Sequence, residues 1–197
     1  VSSGGSATIC SSAVERGRVT FMNSPAKAQV IANFVLFQLG WIACVLSAAK
    51  GLAWAGTVGA TLIVAWHVWR AARPVDEINL VLRVVLTGAV FDTLMLQLGL
   101  ISYASGVLVA GVAPHWILAL WALFATSLNV SMNWLKARMV WAAVLGAVSG
   151  PLSYWAAVRM GAATFDKPLA AVAALALGWA AIMPLLLMLA KRNDGYT

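Results

Sequence analysis

Two groups of polar side chains interrupt an almost continuously apolar chain, and they are the residues that could do chemistry. The first centres on Asp92, the carboxylate that lies well inside an apolar run, GAVFDTLMLQLG. An ionised Asp at the middle of a membrane helix costs roughly 2.5–3.5 kcal/mol, so we expect Asp92 to face other helices. It must bind a proton there or accept hydrogen bonds, and Ser149, Ser153 and Tyr154 are candidate partners at similar depth. Asp92 is then either a proton-binding or substrate-binding carboxylate, or a structural one that fixes helix packing.

The second group lies nearer the cytoplasmic ends of the predicted helices and contains Asn33, Gln38, His67, Asn129 and Asn133. Asn129 and Asn133 are spaced i, i+4, which predicts that they share one face of the fourth helix. Depth alone allows the group to form a polar pocket open to the cytoplasm, for a headgroup or a small polar ligand. The alternative is packing through interhelical amide hydrogen bonds, which are worth about 0.6 kcal/mol each in membranes.

Several kinds of chemistry lack the residues they need. The two histidines, His67 and His115, fall on opposite sides of the predicted membrane, so no zinc or haem site of usual composition is expected. The sequence has no G-x-x-x-x-G-K-[ST] phosphate loop, no H-E-x-x-H zinc motif and no G-x-S-x-G nucleophile motif. Cys10 and Cys44 give no disulfide framework. We therefore predict no metal and no cofactor.

The composition indicates that these groups lie in a membrane protein. The chain of 197 residues is 62% hydrophobic and 10% charged, with a mean hydropathy of +0.90, whereas soluble domains are about 25% charged. The net charge of +7 does not indicate nucleic-acid binding, because the basic residues stand in ones and twos at the ends of apolar runs. Ten of the thirteen Lys and Arg fall on one predicted side and three on the other. This asymmetry predicts that both termini are cytoplasmic.

Apolar length and helix-breaking residues predict an all-α, polytopic transmembrane bundle of about six helices. Pro114 and Pro168 each suit a first helical position, and Gly146 and Gly150 form a G-x-x-x-G pair that permits close helix packing. Residues 1–27 are predicted to be a disordered tail or an over-extended start, 28–190 the membrane domain, and 191–197 a short cytoplasmic tail. The six predicted spans are 28–47, 52–70, 78–101, 114–135, 139–159 and 168–190.

Four segments resemble a family of small bacterial inner-membrane proteins known only as a domain of unknown function. They are NFVLFQLGW at 33–41, FD at 91–92, WALFATSLNVSMNWL at 121–135 and GAVSGPLSYWAAVRMGA at 146–162. The resemblance covers residues 28–190 and implies a bacterial cytoplasmic membrane location. It implies no established activity. Association with lipid-modification genes in that family implies a lipid-related role.

Three hypotheses of function follow. In the first, the protein is a transporter, carrier or accessory factor for a lipid or small hydrophobic molecule. Its substrate-binding candidates are Asp92, His67, Asn33, Gln38, Asn129, Asn133, Ser153 and Tyr154. In the second, it is a membrane-embedded enzyme of lipid modification with Asp92 or His67 as acid or base. In the third, it is a structural or assembly subunit. The expected partner is the lipid bilayer and not nucleic acid, and the sequence leaves monomer and homodimer open.

Overall fold

Six α-helices, one short 3-10 helix and one short strand pair make up the computed structural model of the protein, which describes residues 26–196. The predicted tail at 1–27 therefore falls almost entirely outside the described residues. The fold class is the predicted one, an all-α helical bundle. The helices are α1 (Lys27–Ala49), α2 (Ala53–Arg70), α3 (Pro74–Gln97), α4 (His115–Leu128), α5 (Met139–Arg159) and α6 (Pro168–Arg192); the strands are β1 (Ile101–Tyr103) and β2 (Ala163–Phe165).

Four of the helices are long and apolar enough to cross a membrane, which makes this a multi-pass membrane protein. They are α1, α3, α5 and α6, with 21 to 25 residues each. Large apolar side chains on them are exposed, for example Leu86 on α3 and Leu177 on α6. An apolar surface of this extent is expected against lipid rather than water. The other two helices, α2 with 18 residues and α4 with 14, are shorter.

The short helix α4 forms the centre of the bundle. It packs against α1, α2 and α3, and nine of its fourteen residues are buried. The helices α5 and α6 pack mainly against each other, and they join the rest through α3, α4 and the strand pair. The result is a group of four helices, α1 to α4, with a helix pair docked against it.

The two ends of the bundle differ in structure. At the strand end, β1 and β2 pair antiparallel with Tyr103 opposite Ala163, and they tie the α3–α4 connection to the α5–α6 turn. Gly161 has φ +85°, a left-handed conformation that favours glycine in the turn before β2. At the tail end, the chain after α6 folds back against the start of α3. The strand pair was not predicted, because residues 102–113 read as an apolar connection.

The predicted fourth helix is wrong in its second half. We expected it to run over 114–135, but α4 ends at Leu128, and a separate 3-10 helix follows at Asn133–Ala137. The hydroxyls of Thr126 and Ser127 donate to the carbonyls of Leu123 and Phe124, three residues back. Such side chain to backbone bonds compete with continued helix. Asn129 and Asn133 consequently do not share a helix face.

Candidate functional site

Helix α3 brings two carboxylates to one buried face. Its buried residues are Glu77, Leu80, Val84, Gly88, Asp92 and Met95, which recur every three or four positions. That spacing is one face of an α-helix. Glu77 and Asp92 are both fully buried, and fifteen residues of helix separate them by about 22 Å. One carboxylate therefore lies near each end of the bundle.

Asp92 accepts three hydrogen bonds from three different elements. The Tyr103 hydroxyl in β1 and the Tyr154 hydroxyl in α5 donate to Oδ1 at 2.7 and 2.6 Å, and the Trp121 Nε1–H in α4 donates to Oδ2 at 2.6 Å. An ionised carboxylate can only accept hydrogen bonds, and all three groups that contact Asp92 are donors. Burial, and next the charge of Asp92, raise the pKa of Tyr103 well above its ordinary value, so its hydroxyl remains a donor at neutral pH.

Two glycines make room for the indoles beside Asp92. A Cβ on Gly88 would lie 2.1 Å from the Trp121 ring, and a Cβ on Gly150 would lie 2.3 Å from the Trp179 ring. With both positions open, Trp121 and Trp179 stack with their centroids 4.9 Å apart. Gly146 allows the α5 backbone to approach Trp179 in α6, as the G-x-x-x-G spacing predicted.

An apolar cleft of about 390 Å³ lies in front of this group, between α1, α4 and α5. Its volume is in the range of small-molecule sites. Helices α1 and α5 pack little against each other, so the cleft separates them. No Asp, Glu, Lys, Arg or His from the described residues lines it. Its lining residues are Phe37, Gln38, Trp41, Val45, Tyr103, Trp116, Ile117, Leu120, Trp121, Phe124, Met132, Ser149, Gly150, Leu152, Ser153, Tyr154, Ala157, Ala163 and Trp179.

Three predicted site residues line this cleft, and Asp92 lies behind its wall. Tyr154 and Ser153 reach it from α5, and Gln38 reaches it from α1. Ser153 donates to the Gly150 carbonyl at 2.8 Å. Asp92 holds three of the lining side chains but does not line the cleft. Gln38 was expected in the cytoplasmic group with His67, but it lines the cleft, and His67 does not.

A second polar cluster lies at the tail end of the bundle. His67 Nε2 is 3.1 Å from Glu77 Oε2, and Asn129 Nδ2 donates to Glu77 Oε1 at 2.5 Å. All three side chains are buried. The structure thus joins two residues of the predicted cytoplasmic group, His67 and Asn129, through Glu77.

The C-terminal residues complete this cluster. The Gly195 backbone N–H donates to Glu77 Oε1 at 3.1 Å, and the Tyr196 hydroxyl donates to the His67 carbonyl at 2.7 Å. The Asn193 carbonyl accepts from Asn129 at 3.0 Å. Burial, and next the Glu77 charge, raise the pKa of Tyr196 above its ordinary value. The tail covers the cluster and donates hydrogen bonds to acceptors of Glu77 and His67.

One ion pair and two hydrogen bonds hold the same tail from outside the cluster. Lys136 Nζ lies 2.6 Å from Asp194 Oδ2, with both side chains about nine-tenths buried. Arg73 donates through its guanidinium to the Asp194 carbonyl and through its backbone N–H to the Gly195 carbonyl. The predicted tail at 191–197 is therefore, over residues 193–196, part of the packed structure.

The remaining predicted residues do not join either cluster. Asn33 donates to the Thr126 carbonyl at 3.1 Å, which ties α1 to α4. Asn133 opens the 3-10 helix and is half-buried. The structure therefore separates the five expected members of the cytoplasmic pocket into four places. Among the described residues, no group of three or more His, Cys, Asp and Glu could hold a metal ion.

The predicted site residues did not include Glu77, Tyr103, Trp121, Trp179 or Tyr196. The burial of Glu77 could have been predicted, because Glu77 lies on the Leu80–Val84–Gly88 face that also carries Asp92. No local pattern marks Tyr103 or Tyr196, since each reaches its partner from outside the long helices.

Comparisons with known proteins place the chain only in an uncharacterised group. A family described as a protein of unknown function, DUF2878, matches residues 30–185. No curated protein and no solved structure matches.

Proposed function

This chain belongs to the DUF2878 family, whose function is unknown, and we propose that it is a carrier or accessory protein for a small hydrophobic molecule. The ligand, a lipid or a molecule dissolved in the lipid, occupies the cleft between α1, α4 and α5. The observation that carries this proposal is the cleft itself, an apolar cavity with eight aromatic side chains among its nineteen lining residues and no Asp, Glu, Lys, Arg or His. Sites of this composition suit apolar ligands.

The position of the cleft supports access from the bilayer. Gln38 on α1 and Leu152 on α5 both line it, and both are exposed on the outer surface of the bundle. Neighbouring side chains on these helices, such as Phe34 and Val148, are exposed and apolar. A molecule dissolved in lipid then reaches the cleft sideways, between α1 and α5, without crossing water.

Asp92 serves in this proposal as a positioning residue. It holds Tyr103, Trp121 and Tyr154 in place from behind, so that their rings form one wall of the cleft. Its three donors occupy both carboxylate oxygens. This arrangement favours a carrier over an enzyme that uses Asp92 as acid or base, because the carboxylate does not face the bound molecule.

Filling the cleft tests the proposal. Ser153→Trp places an indole into the cavity from α5, whereas Val148→Trp places one on the exposed side of the same helix. We expect the wild-type protein, purified in mild detergent, to carry a bound hydrophobic molecule detectable by native mass spectrometry. Ser153→Trp should lose it and Val148→Trp should keep it.

A matching result would also appear in cells as a changed lipid profile of a deletion strain that the wild type restores. The carrier proposal fails if the folded Ser153→Trp protein retains the same molecule, or if the wild-type protein carries none.

We further propose that the protein resides in the bacterial cytoplasmic membrane with both ends of the chain in the cytoplasm. The tail end of the bundle holds Lys27, Arg70, Arg73, Lys136, Arg138, Lys191 and Arg192, against Lys50, Arg159 and Lys167 at the strand end. Basic residues favour the cytoplasmic side. A C-terminal green fluorescent protein should fluoresce and a C-terminal alkaline phosphatase should stay inactive; the reverse pattern contradicts this orientation.

A further inference from the structure

Two polar side chains line the cleft from its two sides without a hydrogen-bond partner. Gln38 on α1 and Ser149 on α5 both line the cleft, and both are exposed. Neither side chain makes a hydrogen bond to another residue in the described part of the chain. Trp41, one turn along α1 from Gln38, also lines the cleft, and its indole N–H is unbonded there as well. These groups are available to a molecule that enters between α1 and α5.

Gln38 and Ser149 lie at the middle of membrane-spanning helices. Gln38 is the central residue of α1 and Ser149 the central residue of α5, with about 15 Å of helix on either side. Both helices begin at the tail end and end at the strand end, so the two side chains lie at similar depth. Hydrocarbon at that depth offers no hydrogen bond, and an unpaired amide or hydroxyl costs free energy there. The two residues therefore indicate a polar group that binds them at the middle of the membrane.

The other polar side chains of the lining already have partners. Those that donate hydrogen bonds within the chain are Tyr103, Trp116, Trp121, Ser153 and Tyr154. A further side-chain hydrogen bond joins Trp179 to Tyr154. Since no Asp, Glu, Lys, Arg or His of the described residues lines the cleft, a charged ligand group would lose its hydration and meet no opposite charge. The ligand group that meets Gln38 and Ser149 is therefore neutral.

We propose that this ligand group is a hydroxyl or an amide, which both donates and accepts hydrogen bonds, and that Gln38 and Ser149 bind it. The Gln38 side chain offers a carbonyl oxygen as well as an NH₂ group, and the Ser149 hydroxyl also donates and accepts. An ester or a ketone only accepts, so it would leave the Gln38 oxygen without a donor. The apolar chain of the ligand occupies the aromatic part of the cleft. This inference rests on the proposed function, because it assigns the polar group of the molecule that the cleft holds.

Probes with similar chains and different polar groups test this assignment. Hexadecanol supplies a hydroxyl, palmitamide an amide, methyl palmitate an acceptor alone, palmitate an anion, and hexadecane no polar group. Binding of each tritiated probe to the full-length protein in detergent is measured by scintillation proximity. We expect hexadecanol or palmitamide to bind about tenfold more tightly than methyl palmitate, the ratio that one additional hydrogen bond gives. Comparing the alcohol with the amide identifies the source of the polar group.

Two variants remove the proposed partners singly. Gln38→Leu removes the amide and Ser149→Ala removes the hydroxyl. We expect each to weaken binding of the preferred probe by about tenfold and to leave hexadecane binding unchanged. Thr87→Val is the matched control, because Thr87 also lies near the middle of its helix, donates to the Arg83 carbonyl at 2.9 Å and does not line the cleft. It should bind all five probes as the wild type does.

The outcomes separate this inference from the function on which it rests. If the wild type binds neither hexadecanol nor palmitamide more tightly than methyl palmitate, the inference is overturned and the carrier proposal stays intact. Tightest binding of palmitate overturns it as well, as does an unchanged preference in both Gln38→Leu and Ser149→Ala. If Gln38 instead bonds to a second copy of the chain, Gln38→Leu converts a dimer into a monomer without changing probe affinities, which also overturns it. If no probe binds the wild type, both proposals fail. The wild-type series decides the question even where a variant does not fold.

Discussion

Asp92 links three separate parts of the chain through single hydrogen bonds, and its replacement should therefore lower stability. In Asp92→Asn one oxygen is lost, and the new NH₂ group faces a donor, either the Trp121 indole or the tyrosine hydroxyls. A buried donor left without an acceptor costs about 1–3 kcal/mol. We expect the free energy of unfolding to fall by about that amount, measured by denaturant titration in detergent.

The control for this prediction is the exposed Asp166, which accepts one hydrogen bond from Ser102 at 3.0 Å. Asp166→Asn should change stability by less than about 0.5 kcal/mol, as surface substitutions usually do. An Asp92→Asn protein as stable as Asp166→Asn would contradict the role of Asp92 as the anchor of the aromatic wall.

Some contacts of single residues could be predicted from the sequence, and others could not. Asp92 was predictable as a buried acceptor because an isolated carboxylate in an apolar helix must find donors. Tyr154 was predictable from its depth. Tyr103 was not, because its position depends on the pairing of β1 with β2, which no pattern in residues 102–113 indicates. Whether the predicted residues bind a substrate stays a prediction.

At the scale of elements, the C-terminal segment covers the Glu77 cluster, whose other side chains come from α2, α3 and the end of α4. Gly195 and Tyr196 reach Glu77 and His67 across more than a hundred residues of chain. A buried Glu–His pair left without its hydrogen-bond partners is strongly destabilising. The tail therefore stabilises the joint between α2, α3 and α4 rather than extending freely from α6.

This role predicts a specific alkaline sensitivity. The pKa of Tyr196 is raised in the folded protein, first by burial and then by Glu77. Folding then favours the protonated phenol, so the contribution is present below the ordinary tyrosine pKa near 10 and is lost as the pH rises above it. Wild-type stability should fall between about pH 9 and pH 11 more steeply than that of Tyr196→Phe.

Thermal unfolding in detergent across this pH range measures the difference. Tyr103 also has a raised pKa, but it is present in both proteins and cancels in the comparison. At neutral pH, Tyr196→Phe should itself be less stable, because it loses the bond to the His67 carbonyl. Parallel pH profiles for the two proteins would show that the tail hydroxyl contributes nothing.

The sequence predicted the approximate positions of the helices more accurately than the residues at which they begin and end. Pro74 and Pro168 stand at the first turn of α3 and α6, where their fixed φ and missing N–H are tolerated. The third helix was expected at 78–101, but it begins four residues earlier, at Pro74, and ends at Gln97. The end of α4 was missed because the run 121–135 contains no charged residue, glycine or proline that would mark it. Hydropathy indicates whether a segment lies in lipid or in water, but it does not indicate its backbone conformation.

At the scale of the whole molecule, the cleft forms where the α5–α6 pair meets the group of α1 to α4. The α6 helix and the β1–β2 pair hold the two parts together, while α1 and α5 remain apart. The opening between them is consequently a product of the whole arrangement. Residues from six elements line it, which explains why no single motif in the sequence revealed it.

Site-specific photolabelling tests the account most directly. A hexadecanol analogue with a diazirine in its chain is added to membranes that contain the protein, irradiated, and located by peptide mass spectrometry. We predict labelling of cleft residues such as Phe37 and Ser153 that excess unlabelled hexadecanol abolishes. Labelling of the lipid-facing surface of α3, at Leu82 and Leu86, should resist competition. Equal labelling of both surfaces, with no effect of the competitor, would contradict a ligand site between α1 and α5.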